Sequence, residues 1–200
     1  MKTHNYAVFP SIITEVQCSC FDHIQHPLLD WIYDYKKDKS GVIISNRGGW
    51  QSKSDFWREE SFSHYFNYIF DHIKSSVRFY NLNFEMGNMW ININKKGNYN
   101  FSHIHPLSLL SGVMWIKSPQ NCGDLIFESP HNFNEGELLE KVDVDFREKT
   151  NYFNTFKFEP IPGKIVLFPS HLRHCVDESR SDEDRVSIAF NLITKFKYGF

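Results

Sequence analysis

The sequence predicts a mainly β protein of the α+β kind: an antiparallel double-stranded β-helix, or jelly roll, with N-terminal helices packed on one sheet. Three observations carry this expectation. Apolar residues at helical spacing occupy the first 85 positions, and after them come short runs rich in Ile, Val, Phe and Trp. Pro, Gly, Asn and Asp separate those runs, as turns between strands require. Nineteen Phe, nine Tyr and five Trp among 200 residues supply side chains that sheets favour. Helices followed by strands fit two packed sheets better than an alternating βαβ fold.

Taken in order, "FDHIQHPLLDWIYDYKKDK" (21–39) and "SDFWREESFSHYFNYIFDHIKSSVRFY" (54–80) read as amphipathic helices. In the second, Phe66, Tyr68, Ile69, Ile73 and Val77 form the apolar stripe, and Ser54 ahead of acidic residues is the expected N-cap. Strands are expected at 87–95, 110–117, 123–127, 153–159, 164–168, 172–177 and 185–193. The chain is expected to form one domain over 1–200, with 1–85 supporting a jelly-roll core over 86–200. The charged stretch 131–152 reads as an insertion between strands, either a lid that contacts substrate or a mobile surface loop.

Two strands alternate unusually. In "RVSIAFNL", Val186, Ile188, Phe190 and Leu192 share one face, and Arg185, Ser187, Ala189 and Asn191 the other. In "NMWININ", Met89, Ile91 and Ile93 oppose Asn88, Trp90, Asn92 and Asn94. Solvent faces more often carry Lys, Glu and Thr. Faces that are polar yet poor in charge predict a polar-lined cavity inside the roll.

Composition excludes several classes of partner. With 22 basic against 24 acidic residues the net charge is -2, which gives no electrostatic reason to expect nucleic acid or an anionic membrane. The opening "MKTHNYAVFPSIITEV" lacks the apolar core of a signal peptide, and no apolar run would span a bilayer, so a cytoplasmic protein is expected. Cys18, Cys20, Cys122 and Cys175 lack the CxxC spacing of structural zinc and read as free thiols.

The chemistry is concentrated in histidines. His103 and His105 stand two apart ahead of an apolar run, and in an extended segment residues i and i+2 share a face. Two converging imidazoles suit a transition metal. Further on, His174 follows the strand 164–168, and Arg185 opens the next strand eleven residues later.

At this point the chain resembles the Fe(II)- and 2-oxoglutarate-dependent oxygenases, and within them a bacterial and phage group. The resemblance covers nearly the whole chain. "YAVFP" (6–10) corresponds to an opening strand, and "SNRGGWQS" (45–52), "HIHP" (103–106), "SGVMWI" (111–116), "FPSHLRH" (168–174) and "RVSIAFN" (185–191) follow in order. It implies Fe(II) held by His103, His105 and His174, with 2-oxoglutarate chelating the iron through its keto-acid end. It also implies that Arg185 and Ser187 bind the distal carboxylate, as a buried cationic fork suits that group. Asn92 and Asn94 are assigned to the co-substrate's surroundings and, with Trp115, are candidate substrate contacts. The implied reaction hydroxylates a small molecule or peptide with O2, and a phage origin would fit the Asn-, Lys-, Ile- and Phe-heavy composition.

One departure stands out. Most relatives use His-x-Asp…His, whereas this chain has His105 at the carboxylate position. His105 is then a third ligand, or a neighbour of a sphere completed by Asp124 or water, or part of an anion-binding variant. Halogenating relatives of the last kind carry a small residue there. Three imidazoles leave one more positive charge than the usual set, which favours an anionic co-substrate. His171, three positions from His174, should face away from the metal, and Cys175 should face the core. Lys95 and Lys96, in the turn "KKGNY", read as solvated, and Arg185 has the alternative of a surface pairing with the acidic run 177–184.

Two other functions compete. A non-catalytic jelly-roll module could bind a ligand while its histidines hold a structural metal, but it would not need Arg185 in register with His174. A zinc hydrolase would need a Glu or Asp base near the histidines, and 98–110 contains none. An oligomer is compatible with either reading.

Overall fold

The computed structural model describes residues 4, 10–130, 139 and 141–194. In chain order the elements are β1 (Thr14–Gln17), α1 (Phe21–Lys37), β2 (Asn46–Arg47), β3 (Trp50–Gln51), α2 (Ser63–Ser76), β4 (Phe84–Asn94) and β5 (Tyr99–His103). They continue with β6 (Leu110–Lys117), β7 (Leu125–Glu128), α3 (Val144–Thr150), β8 (Thr155–Phe158), β9 (Lys164–Pro169), β10 (His174–Val176) and β11 (Arg185–Thr194). The strands make two antiparallel sheets, ordered β1-β9-β6-β11-β4-β3 and β2-β5-β10-β7-β8. This is the expected double-sheet roll.

The alternation along β4 and β11 sorts the two faces of the six-stranded sheet. Met89, Ile91, Ile93, Val186, Ile188, Phe190 and Leu192 join Leu28 and Ile32 of α1 and Ile69 and Ile73 of α2 in one buried cluster. Trp90, Asn92, Asn94, Arg185, Ser187 and Ala189 point the other way and line a cavity between the sheets. The helices therefore cover the dry face, and the polar face is left for the interior of the roll. Trp115, Leu125, Phe127, Val166, Phe168 and Leu172 form a second cluster beside that cavity.

The stretch 54–80 differs from the expected continuous helix. Short 3-10 turns at Phe56–Arg58 and Glu60–Phe62 precede α2, whose N-cap is Phe62 and has no side-chain cap. Aromatic packing is the reason. Phe56 and Phe62 are both buried, with ring centroids 4.8 Å apart, and Phe62 lies 4.8 Å from Trp31. Six residues apart on an unbroken helix, they would face directions roughly 120° apart and could not meet on one ring. Ser54 caps no helix; its carbonyl accepts the Met89 N–H at 3.1 Å.

The strands expected after residue 85 are all present, with shifted ends. β4 reaches back to Phe84, and β10 shrinks to three residues. β2, β3 and β5 were not predicted: the first two are only two residues long, and β5 is rich in polar residues. Of "YAVFP", residues 6–9 lie outside the described residues, and the first described strand is β1. Of the insertion 131–152, residues 131–138 and 140 also lie outside them. Within it, α3 is capped by Asp143, whose Oδ1 accepts the Phe146 N–H at 2.9 Å. Among the described residues no helix is long and apolar enough to cross a membrane.

Candidate metal centre

Two of the three histidines are positioned by a strand pairing. In the antiparallel pair β5–β10, His103 stands opposite His174, and Asn100 stands opposite Val176. Two residues of β5, Phe101 and Ser102, thus oppose one of β10, Cys175, which is a β-bulge. The extra residue re-aims the strand, so Asn100 and His103 both line the cavity while Phe101 is exposed.

Backbone carbonyls then fix the tautomers. His103 Nδ1 lies 2.7 Å from the Phe101 carbonyl oxygen, and His174 Nδ1 lies 2.9 Å from that of Leu172. A carbonyl only accepts, so each Nδ1 carries the proton and each Nε2 presents a lone pair. This is the orientation a metal ligand needs.

His105 reaches the same point by another route. It lies beyond the end of β5, so the strand alternation expected from sequence does not place it. Its backbone N–H donates to the Ser170 carbonyl at 2.9 Å. Ser170 is itself held in a buried chain: its Oγ is 2.8 Å from Ser111 Oγ, Ser111 Oγ donates to Asn191 Oδ1 at 2.6 Å, and Asn191 Nδ2 donates to Asn88 Oδ1 at 2.8 Å. Each hydroxyl has one proton, so Ser170 donates to Ser111. The chain ties β4, β11, β6 and the end of β9 to the loop that carries His105.

The three histidines are the metal-competent group among the described residues, with one ligand atom of each within 4.8 Å of the others. His105 Nε2 and His174 Nε2 are 3.2 Å apart. Two nitrogens bound to one ion at about 2.1 Å and at right angles would stand about 3.0 Å apart, so the donor set fits a transition metal. Asp124 is not in the group. Its carboxylate is instead felt at Arg185.

Burial keeps these imidazoles neutral. It pushes His105 down to about 4, helped by the neighbouring His103, and His174 down to about 3, helped by His103 and His105. His103 is lowered too, by burial and by the charge of Arg173, against the pull of the Phe101 carbonyl. Aromatic rings wall the site: Trp90 lies 5.5 Å from His105, and Phe168 and Phe127 lie 4.7 and 5.9 Å from His174.

The cavity is partly open to solvent and spans about 570 Å³ when that open part is counted. Arg185 lies at its other end, 2% exposed, with Nη1 donating to the carbonyls of Cys122 at 2.7 Å and Gly123 at 2.9 Å. It is not on the surface with the acidic run. Burial lowers it to about 10, so it stays charged at neutral pH. Among the described residues no carboxylate lies within ion-pair distance of it. Ser187 and Asn92 face each other across β11 and β4, as do Arg185 and Asn94. The Asn92 and Asn94 Oδ1 atoms are buried without a partner, and both residues line the cavity. A buried guanidinium with no carboxylate at ion-pair distance among the described residues, beside unfilled polar groups, fits an anionic co-substrate.

The remaining expectations divide. His171 is exposed, Trp115 lines the cavity, and Lys96 pairs with Asp182 at 2.8 Å in solvent. Cys175 is not in the core. It is half-buried, because β10 turns His174 and Val176 inward and therefore Cys175 outward. Sequence reasoning missed Asn100 and Ser45, which also line the cavity. It also missed the Ser170–Ser111 link, whose one signal was a serine set within apolar strand sequence.

Residues 88–191 match the family model described as "Putative 2OG-Fe(II) oxygenase". The chain is also similar in structure to a Pseudomonas putida prolyl-4-hydroxylase, over 92% of this chain and 92% of that one, at 13% identity and TM-score 0.61. It is similar to the viral collagen prolyl hydroxylase of Paramecium bursaria Chlorella virus-1 in its 2-oxoglutarate complex, over 90% and 94%, at 12% identity and TM-score 0.57. HygX from Streptomyces hygroscopicus, with nickel and 2-oxoglutarate bound, matches over 92% and 83%, at 10% identity and TM-score 0.64. At these identities the likeness is one of fold. No curated protein sequence matches the chain.

The buried imidazoles predict an acid-sensitive metal-free protein. In the unfolded chain a histidine protonates near pH 6.5, whereas His105 and His174 stay neutral in the fold down to about 4 and 3. The unfolded state therefore takes up protons first, and stability that is complete above pH 6.5 is lost as pH falls toward those values. Urea unfolding between pH 7.5 and 5.5 should show a falling midpoint, with a shallower slope in His174→Gln. Equal slopes would mean that His174 is not buried neutral.

Proposed function

The chain belongs to the 2OG-Fe(II) oxygenase family, and on that premise we propose that it couples oxidative decarboxylation of 2-oxoglutarate to hydroxylation of a small-molecule or peptide substrate. Its cofactors are Fe(II) and 2-oxoglutarate. When bound, the iron and the 2-oxo acid supply the oxygen chemistry that no side chain can provide. In the overall reaction one atom of O2 enters succinate as CO2 leaves, and the other enters a substrate C–H bond.

The observation that carries the reading is a pairing within one cavity. Three imidazoles converge at one end, and a buried guanidinium without a carboxylate partner stands at the other. In this reading His103, His105 and His174 hold the iron through Nε2, and the carbonyls of Phe101 and Leu172 keep two of the rings turned toward it. Arg185 and the Ser187 hydroxyl grip the distal carboxylate, with Asn92 and Asn94 beside them. Trp90, Phe127 and Phe168 exclude water, which strengthens each polar contact inside. The hydroxylase fold of the two prolyl hydroxylase neighbours supports this choice of reaction. A structural-metal module is the weaker reading, because it gives Arg185 no task. Among the described residues no Asp or Glu lines the cavity, which disfavours a zinc hydrolase.

The role of His105 is tested by two substitutions. His105→Ala should lose iron affinity, and His105→Asp should retain it by restoring the commoner ligand set. Iron titrations under argon, with and without chloride, read the outcome. Tolerance of Ala without rescue by Asp would make His105 a neighbour, and chloride-dependent iron binding by Ala would make the site an anion-binding variant.

Arg185 is tested by calorimetry with 2-oxoglutarate on the iron-loaded protein. Arg185→Lys keeps the charge and loses the planar fork. Loss of one charge-assisted contact, roughly 1.5–3 kcal/mol, should weaken 2-oxoglutarate about tenfold to a hundredfold. Unchanged affinity would remove Arg185 from the co-substrate site.

A further inference from the structure

The Phe101 carbonyl that orients the His103 ring belongs to the bulge, and the bulge is poorly fixed by its own ladder. β5 pairs with β10 at His103–His174 and at Asn100–Val176, and the register shifts between those two positions. Bulged residues lack regular ladder bonds, so the strand pairing alone leaves the peptide between Phe101 and Ser102 free to tilt. A tilt would carry the carbonyl away from Nδ1 and let the ring turn.

Two contacts from outside the β5–β10 ladder remove that freedom. On the β2 side, the Phe101 N–H donates to the Ser45 carbonyl at 3.1 Å. On the other side, the Ser102 hydroxyl donates to the Glu128 carboxylate. That second bond has a long reach. Glu128 is on β7, and β10 lies between β7 and β5, so the bond bridges two strand spacings, about 9.5 Å between strand axes. Glu128 is fixed in turn, because its backbone N–H donates at 2.9 Å to the carbonyl of Arg173, the residue before His174. Both side chains are half-buried, and neither lines the cavity. Among the described residues Glu128 makes no salt bridge, and its carboxylate is given to a neutral hydroxyl. A hydroxyl–carboxylate bond is charge-assisted and stronger than a neutral one.

Resting on the metal centre proposed above, we infer that Glu128 and Ser102 are positioning residues for it. Their bond straps β5 to β7 across β10 and fixes the Phe101–Ser102 peptide, whose carbonyl keeps His103 Nε2 aimed at the ion. The peptide is planar, so anchoring Ser102 on one side and the Phe101 N–H on the other sets the direction of that carbonyl. β10, which carries His174, is enclosed between the two strands that the strap joins. Partners that orient a metal-bound imidazole from behind change metal affinity by about tenfold to a hundredfold.

The test is titration of the full chain with Co(II), whose visible absorption reports ligand geometry as well as affinity. Ser102→Ala and Glu128→Ala should each weaken Co(II) about tenfold and change the visible bands. The double variant should be no weaker than either single one, because both break the same bond. Ser102→Thr keeps the hydroxyl and should bind as the wild type does. Glu128→Gln keeps the shape and an acceptor without the charge, and should weaken Co(II) about threefold; it carries the test if an alanine variant does not fold. Urea unfolding of the metal-free samples is the control. A strap with a structural role alone would lower the midpoint and leave affinity and spectrum unchanged, which overturns the inference. So do effects that add in the double variant, a Ser102→Thr variant as weak as Ser102→Ala, or wild-type affinity in Glu128→Gln. Wild type and His174→Gln separate this failure from failure of the metal centre. If the wild type takes up no Co(II), or His174→Gln binds it equally well, the centre falls and the inference with it. If only the wild type binds, unchanged strap variants remove the positioning role and leave the centre standing.

Discussion

The site depends on the pairing of one three-residue strand. β10 lies between β5 and β7, and its register sets His174 opposite His103 on one side and Phe127 on the other. Side chains alternate along a strand, so a slip of one residue would turn His174 to solvent and bring Cys175 inward. The bulge at Phe101 and Ser102 supplies the other half of the geometry, because without it Asn100 and His103 could not share a face. His105 obeys a different constraint. The buried hydroxyl–amide chain through Ser170, Ser111, Asn191 and Asn88 anchors its loop to the six-stranded sheet. Two sheets thus contribute to one centre, each through its own hydrogen bonds.

Arg185 imposes a second constraint, felt far from the histidines. A guanidinium 2% exposed needs its protons satisfied, and the carbonyls of Cys122 and Gly123 take one nitrogen only. Gly123 has φ +91, and a Cβ there would stand 2.2 Å from the Asp177 carbonyl oxygen and 3.1 Å from Arg185 Nη1. Only glycine lets the chain bring its carbonyl to the guanidinium at that point. The turn before β7 is therefore shaped by the arginine on β11, which leaves its remaining donors for an anion in the cavity.

Much of this was legible in the sequence because strand alternation is a strong signal. The two faces of β4 and β11 and the cavity between the sheets follow from alternate residues in "NMWININ" and "RVSIAFN", whereas the buried role of Arg185, against a surface pairing with 177–184, was implied by the family resemblance. The convergence of His103 and His105 was also legible, but for a reason the structure replaces, since a loop and not a strand carries His105. Bulges leave no mark in residue type, so the register of β5 against β10 could not be read. The break in 54–80 was hidden for a related reason: its apolar residues match a helix locally, and only the packing of Phe56 and Phe62 on Trp31 decides against one. Ser111 and Ser170 sit among apolar neighbours, a signal that each needs a partner but not of which partner it takes.

The metal-free centre also carries its own logic. His174 Nε2 presents a lone pair, so the contact of 3.2 Å with His105 Nε2 is favourable only when His105 donates a proton there. In that state His105 and His174 satisfy each other, while His103 is held by the Phe101 carbonyl. A cation entering it takes the place of that proton, and His105 must move its proton to Nδ1. The heavy atoms already stand near ligand spacing, so little ordering remains to be done on binding. Because the unfolded chain offers no such convergence, the free energy of binding the ion adds directly to the stability of the fold. Burial of three neutral imidazoles therefore weakens the empty protein in acid and poises it to be stabilised by metal, and both effects come from the same pairing of β5 with β10.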